Sequence, residues 1–245
     1  MLKKLYDKSE LVFAIVWIVA YVVFASLGDN LSASVGISKV VTLPILTALT
    51  AVIILFLVKN KLLEKYGICK SQTPPKKMLF YLPLALLLTA NLWYGVKVNY
   101  SAIETALYLL SMFCVGFVEE IIFRGFLFNA MAKNGVKSAI IVSSVTFGIG
   151  HIVNLINGSG AEVIPNLLQV VYAVAVGFTF VMIYYKTKTL LPCIITHSVF
   201  NGLSAFANES VTIEMQILTG VLIAVISGAY ALYIALAVKD ESSRN

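Results

Sequence analysis

Charge is scarce in this sequence. Of 245 residues only 12% are Asp, Glu, Lys or Arg, against roughly 25% in a soluble domain. Apolar residues make up 60%, more than a water-soluble core can hide, so lipid must cover much of the surface. That excludes a disordered chain and a nucleic-acid binder. Cysteine is too thin for a disulfide scaffold: Cys69, Cys114 and Cys193 are widely spaced and form no C-x-x-C pair. Histidine occurs only twice. The HExxH pattern of common zinc proteases and the GxSxG element of serine hydrolases are both missing. There are no internal repeats and no low-complexity tracts.

What is present is a series of apolar runs. Eight can be marked, over 11–27, 40–58, 78–93, 103–123, 136–154, 163–185, 190–206 and 215–238. A helix needs about 20 residues to cross roughly 30 Å of hydrocarbon, so the third run is the shortest candidate. Lys3 and Lys4 precede the first run, but no small-x-small cleavage site follows it, which favours a span over a signal peptide. Eight spans divide the 18 basic residues unevenly. The amino-terminal segment, the loops around 59–77, 124–137 and 186–188, and the tail with Lys239 and Arg244 fall on one side. Only Lys39 and Lys97 fall on the other. The positive-inside rule makes the basic side cytoplasmic. The expected fold is therefore all-α: a polytopic bundle of eight transmembrane helices, both termini cytoplasmic, forming one domain over 1–245. The expected location is the cell (plasma) membrane, with lipid as a constant partner and no nucleic acid.

Ionisable groups inside spans are costly and need a partner or a task. Here they are Glu119, Glu120 and Arg124 in the fourth span, His151 in the fifth and His197 in the seventh, with Asn201 one turn further. At 1.5 Å per residue, Glu119 and His197 lie about 13 Å, and His151 about 21 Å, from their cytoplasmic ends. Three helices can thus bring them into one slab, around a wet cavity expected to open to the cytoplasm or the bilayer. Glu120 and Arg124 are four apart and share a face, so they read as a buried ion pair that supports the fold. Adjacent Glu119 then points elsewhere and is free to act as a base. His197 and Asn201 share a face and can donate to a developing oxyanion. Asn154 is placed either to orient His151 or to cap its helix before the turn 157–160. A carboxylate, two imidazoles and an amide with no nucleophile motif suggest attack by water on an amide bond. Glu119, His151 and His197 also form a set able to hold a divalent metal such as zinc, and spacing does not separate the two mechanisms.

Taken in order, these residues resemble the CPBP intramembrane proteases, the CAAX protease, bacteriocin-processing or Abi family. The EExxxR motif stands as Glu119-Glu120-Ile121-Ile122-Phe123-Arg124, FxxxH as Phe147 to His151, and the histidine followed four residues on by asparagine as His197 and Asn201. The resemblance covers 103–206. It implies an intramembrane endopeptidase, often labelled a metalloprotease, in which Glu119 and His151 activate water and His197 and Asn201 form the oxyanion site. It also implies a membrane-associated peptide or protein substrate: a prenylated CaaX tail in some relatives, a bacteriocin in others. Some relatives are linked to immunity or scaffold roles, so a non-catalytic role of the same fold is the alternative reading. A transporter is disfavoured, because no inverted repeat or matched pair of broken helices is present.

Overall fold

The computed structural model describes residues 2–157 and 160–238. Gly158 and Ser159 of the expected turn, and the tail residues Lys239 and Arg244, lie outside them. The described chain is helical, with a single isolated bridge between Val96 and Ala207. A short helix α1 (Leu2–Lys8) leads into α2 (Glu10–Val35), capped by the Ser9 side chain. Then come α3 (Thr42–Lys59), α4 (Leu82–Leu88), α5 (Ala102–Glu120), α6 (Asn129–Ala132), α7 (Val136–Gly150), α8 (Val163–Thr187), α9 (Leu191–Leu203) and α10 (Ile213–Ala237). Between α5 and α6 the helix widens into a π-helical stretch, Ile121–Phe128. α5 starts on a capping box in which Ser101 and Glu104 satisfy each other's backbone amides.

Among the described residues, six helical segments are long and apolar enough to cross a membrane: Glu10–Val35, Thr42–Lys59, Ala102–Ala132, Val136–Leu155, Val163–Thr187 and Ile213–Ala237. Leu191–Phe206 is a shorter apolar helix. Their outer faces carry large exposed hydrophobics such as Val19, Phe113 and Val225, as a bundle surrounded by lipid must. The chain is thus a polytopic membrane protein.

The expected third span is not a continuous helix. Leu79, Phe80 and Tyr81 all take left-handed backbone conformations, which cost roughly 1–2 kcal/mol per residue. The Met78 carbonyl accepts from the Tyr230 hydroxyl at 2.7 Å. Regular helix is left only over Leu82–Leu88, with Pro83 in its first turn. The segment nevertheless runs beside α10. Met78 meets Tyr230, and the Tyr94 hydroxyl donates to Met215, positions separated by on the order of 20 Å of helix.

Cross-links between loops define two ends of the bundle. At one end Lys65 pairs with Glu10, Tyr6 and Tyr66 touch, and the segment from Gly67 to Thr73 bonds to Lys186, Thr187, Lys188 and Leu190. Burial opposes the Lys65 ammonium, but its hydrogen bonds to Glu10 and Tyr6 outweigh that and raise its pKa above the ordinary lysine value. At the other end Asp29 pairs with Lys39, Ser38 donates to Glu104, and Lys97 pairs with Glu209. Among the described residues the basic loops thus collect at one end, and Lys39 and Lys97 mark the other. Arg124 belongs to neither; it is fully buried.

α5 and α9 approach through Gly116. A Cβ there would stand 2.8 Å from the backbone nitrogen of Ser198, so α9 must shift to admit a methyl group. Gly150, by contrast, has open space around its Cβ position. Gly116→Ala is therefore expected to destabilise the bundle by about 1–3 kcal/mol, read as a lower denaturation temperature in detergent. Gly150→Ala should leave that temperature unchanged. Equal behaviour of the two variants would show that the α5–α9 approach is not tight.

Candidate active site

The site is built at the end of α5. Glu119 and Glu120 are its last two residues, and the π-helical stretch begins at Ile121. Widening a helix frees carbonyls from their usual partners, a distortion common at functional sites. Here Ser143 donates to the Phe123 carbonyl at 2.9 Å and Asn129 to that of Gly125 at 2.6 Å. All eight residues of the stretch are buried, so these side chains supply what water cannot.

Glu120 and Arg124 both have fully buried side chains, with Arg124 Nη1 3.0 Å from Glu120 Oε1. The guanidinium also lies over the ring of Phe147, 3.9 Å from its centroid, and 5.5 Å from that of Phe180. Arg124 Nε and Nη2 have no hydrogen-bond partner; the aromatic faces take their place. The same Glu120 oxygen accepts from His197 Nδ1 at 2.8 Å. Spacing along one helix could suggest the arginine but not this second partner, which arrives on α9.

His197 therefore sits between both carboxylates. With Nδ1 given to Glu120, its Nε2 faces Glu119 Oε2 at 3.6 Å, too far for a direct hydrogen bond. Glu119 Oε1 accepts from the Tyr21 hydroxyl of α2 at 2.5 Å, while Oε2 accepts no hydrogen bond among the described residues. His151 opens the 3-10 turn that continues α7. Its Nδ1 lies 3.1 Å from the Phe147 carbonyl. Donating there leaves Nε2 as an acceptor. Both imidazoles pack edge-on against Phe147, with centroids 5.2 and 5.7 Å from its own. The Asn201 side chain has no hydrogen-bond partner among the described residues, although its carbonyl accepts from Ser204. Asn154 donates to Gln169, and it is Asn166 that holds the His151 carbonyl.

A cavity of about 300 Å³ is lined by Tyr21, Glu119, His151 and Asn201. A smaller apolar compartment of about 50 Å³ adjoins it, sharing His151 and Asn201 and adding His197, Ala173, Phe180 and Ile223. Glu120 and Arg124 line neither. The larger cavity extends from Glu119 to Asp29, Lys39 and Asn157, away from the basic end of the bundle.

Tyr21 was not singled out by the sequence. The signal for it was faint: a phenol midway along an apolar span, whose hydroxyl needs a partner once water is excluded. Among the described residues no group of three His, Cys, Asp or Glu side chains is arranged to hold a metal ion. The bonds of His151 Nδ1 to the Phe147 carbonyl and of His197 Nδ1 to Glu120 leave the two Nε2 atoms, with Glu119 Oε2, as the atoms that a metal would use.

Removing one partner of a buried ion pair costs about 3–5 kcal/mol, because the other charge is left without compensation. Arg124→Ala is expected to lower the yield of monodisperse protein in detergent severalfold. A normal yield would show that Glu120 does not depend on Arg124.

No curated protein and no solved structure matches the chain. Residues 101–203 match the family described as type II CAAX prenyl endopeptidase Rce1-like. That stretch contains Glu119, Glu120, Arg124, His151, His197 and Asn201, and the CAAX protease resemblance is supported over it.

Proposed function

We propose that this protein is an intramembrane endopeptidase that hydrolyses a peptide bond of a membrane-associated peptide or protein, with Glu119 as the base. One observation carries the reading: Glu119 Oε2 accepts no hydrogen bond from the described residues and faces His197 Nε2 at 3.6 Å, while Oε1 is held by Tyr21, and the carboxylate lines a cavity with His151. A water can sit within hydrogen-bond reach of Glu119 Oε2 and the acceptor nitrogen of His151. Glu119 takes a proton from that water as its oxygen attacks the scissile carbonyl. The oxyanion accepts from the Asn201 amide and from His197 Nε2. His197 donates there in its imidazolium form, in which Glu119, Glu120, Arg124 and His197 sum to zero charge. Collapse of the tetrahedral intermediate breaks the C–N bond, and Glu119 returns its proton to the leaving amine. Glu120, and Arg124 behind it, position His197 without touching substrate.

The topology that goes with this reading is eight crossings with both termini cytoplasmic, the broken 78–93 segment counting as the third. Its support is the collection of basic loops at one end of the bundle, and the plasma membrane is the matching location.

Glu119→Gln keeps the hydrogen bond from Tyr21 but cannot accept a proton. It is expected to lower cleavage of membrane peptides in proteoliposomes by at least about 100-fold, with unchanged yield and denaturation temperature. Full turnover by this variant would remove Glu119 from the role of base. Retained cellular function in a variant that has lost cleavage would favour the immunity or scaffold role.

A further inference from the structure

The contact between Tyr21 and Glu119 divides the α2–α5 interface into two unlike halves. Toward the basic end the helices are shut by aromatic rings. Phe13 and Phe126 lie 5.1 Å apart, Phe126 and Tyr66 4.9 Å, and Phe13 and Phe56 4.9 Å. Phe13, Tyr66 and Phe126 are each 1% exposed. Phe13 is eight residues before Tyr21 and Phe126 seven after Glu119, so these rings lie roughly 10 Å beyond the Tyr21–Glu119 contact on both helices. Phe123, one turn past Glu119, still lines the cavity, but Phe13, Phe56, Tyr66 and Phe126 do not.

Toward the other end the same two helices part. Along α5 the cavity is lined by Tyr108, Met112, Val115 and Glu119, a stripe at helical spacing about 16 Å long. Along α2 it is lined by Tyr21, Ala25, Ser26 and Asp29. At its far end Lys39 pairs with Asp29 at 2.8 Å, and its ammonium lies 5.8 Å from the Tyr108 ring centroid. The charges there cancel, and the nearby lining of Asn154, Asn157, Gln169 and Ser204 is rich in amides and hydroxyls. Such a wall suits an extended polypeptide backbone, which needs donors and acceptors along its length.

We infer that the substrate reaches Glu119 from the Lys39 and Lys97 end of the bundle, the extracytoplasmic side, and that the bond cut belongs to a peptide segment entering from that face. This rests on the endopeptidase reading for what is cut and on the topology proposed from the basic loops for which face is reached, while the end of the bundle from which Glu119 is approached stands on the cavity. It separates the chain from an enzyme that trims a tail presented by the cytoplasm, because such a tail would have to pass the Phe13–Phe126 plug.

The test uses the full-length protein in intact cells and a small, charged, membrane-impermeant thiosulfonate. Ser26→Cys and Ala25→Cys place thiols in the cavity. Lys97→Cys and Lys61→Cys report the two ends, and the unsubstituted chain gives the background from Cys69, Cys114 and Cys193. The expected result is that both cavity thiols react from the face that modifies Lys97→Cys, at rates within about tenfold of it, and that Lys61→Cys reacts only after permeabilisation. Cavity thiols that react only alongside Lys61→Cys, or from neither face, would overturn the inference. Labelling needs no turnover. Failure of the hydrolase reading would show instead as undiminished cleavage by Glu119→Gln with the labelling pattern intact.

Discussion

The arrangement of the site depends on one buried carboxylate. Glu120 is fully buried, and a single oxygen accepts from Arg124 on its own helix and from His197 on α9. Taking a carboxylate and a guanidinium out of water costs several kcal/mol each unless they are paired. Arg124 is in turn enclosed by Phe147 of α7 and Phe180 of α8. One charge cluster therefore joins α5, α7, α8 and α9. In lipid that matters more than it would in water, because apolar faces gain little from meeting each other when the surrounding tails are equally apolar. Packing at Gly116 and the polar junction at Glu120 act on the same pair of helices, and each needs the other. Without the close approach His197 does not reach Glu120, and the hydrogen bond in turn fixes the register of α9 together with the bonds from Ser198 to the Phe113 carbonyl and from Asn91 to the Phe200 carbonyl.

Much of this was legible in the residues and some was not. Scarce charge and long apolar runs were enough for an all-α membrane bundle, and the uneven spread of lysines separated the loops that the structure gathers at its two ends. The third run shows the limit. Its composition is apolar, but a side chain 152 residues away claims the Met78 carbonyl, and hydropathy carries no trace of that. The first run was read as ending at Leu27, whereas α2 continues to Val35. Its last turns hold Asp29 and Ser32, satisfied by Lys39 and Thr42, partners from the following loop and helix that make polar residues tolerable in a long helix.

The site was legible where chemistry is rare. Two histidines and one Glu-Glu pair stand out in a chain with so few polar groups within its spans. The Glu120–Arg124 spacing could be read as an ion pair from a single helix. The bond from His197 to Glu120 could not, because it depends on how α5 and α9 face each other. The π-helical stretch was invisible for a related reason. Gly125 weakens an ordinary helix there, but no residue of Ile121–Phe128 specifies a widened turn, and its displaced carbonyls are satisfied by Ser143 and Asn129, of which Ser143 comes from another helix.

The family match and the cavity do not have the same boundaries. Residues 101–203 contain every group assigned a chemical step, but the hydroxyl that holds Glu119 comes from Tyr21. Much of the wall leading to it comes from Ala25, Ser26, Asp29, Lys39, Thr42 and Leu46. Adjacent residues on a helix diverge by about 100°, so Glu120 can be committed to the interior while Glu119 is left at the meeting point of the two regions. In the proposed reaction the matched segment supplies the reacting groups, and α2 with the start of α3 lines the approach to them. Changes along α2 that keep Tyr21 can alter which peptides fit while leaving the junction of Glu120, Arg124 and His197 untouched.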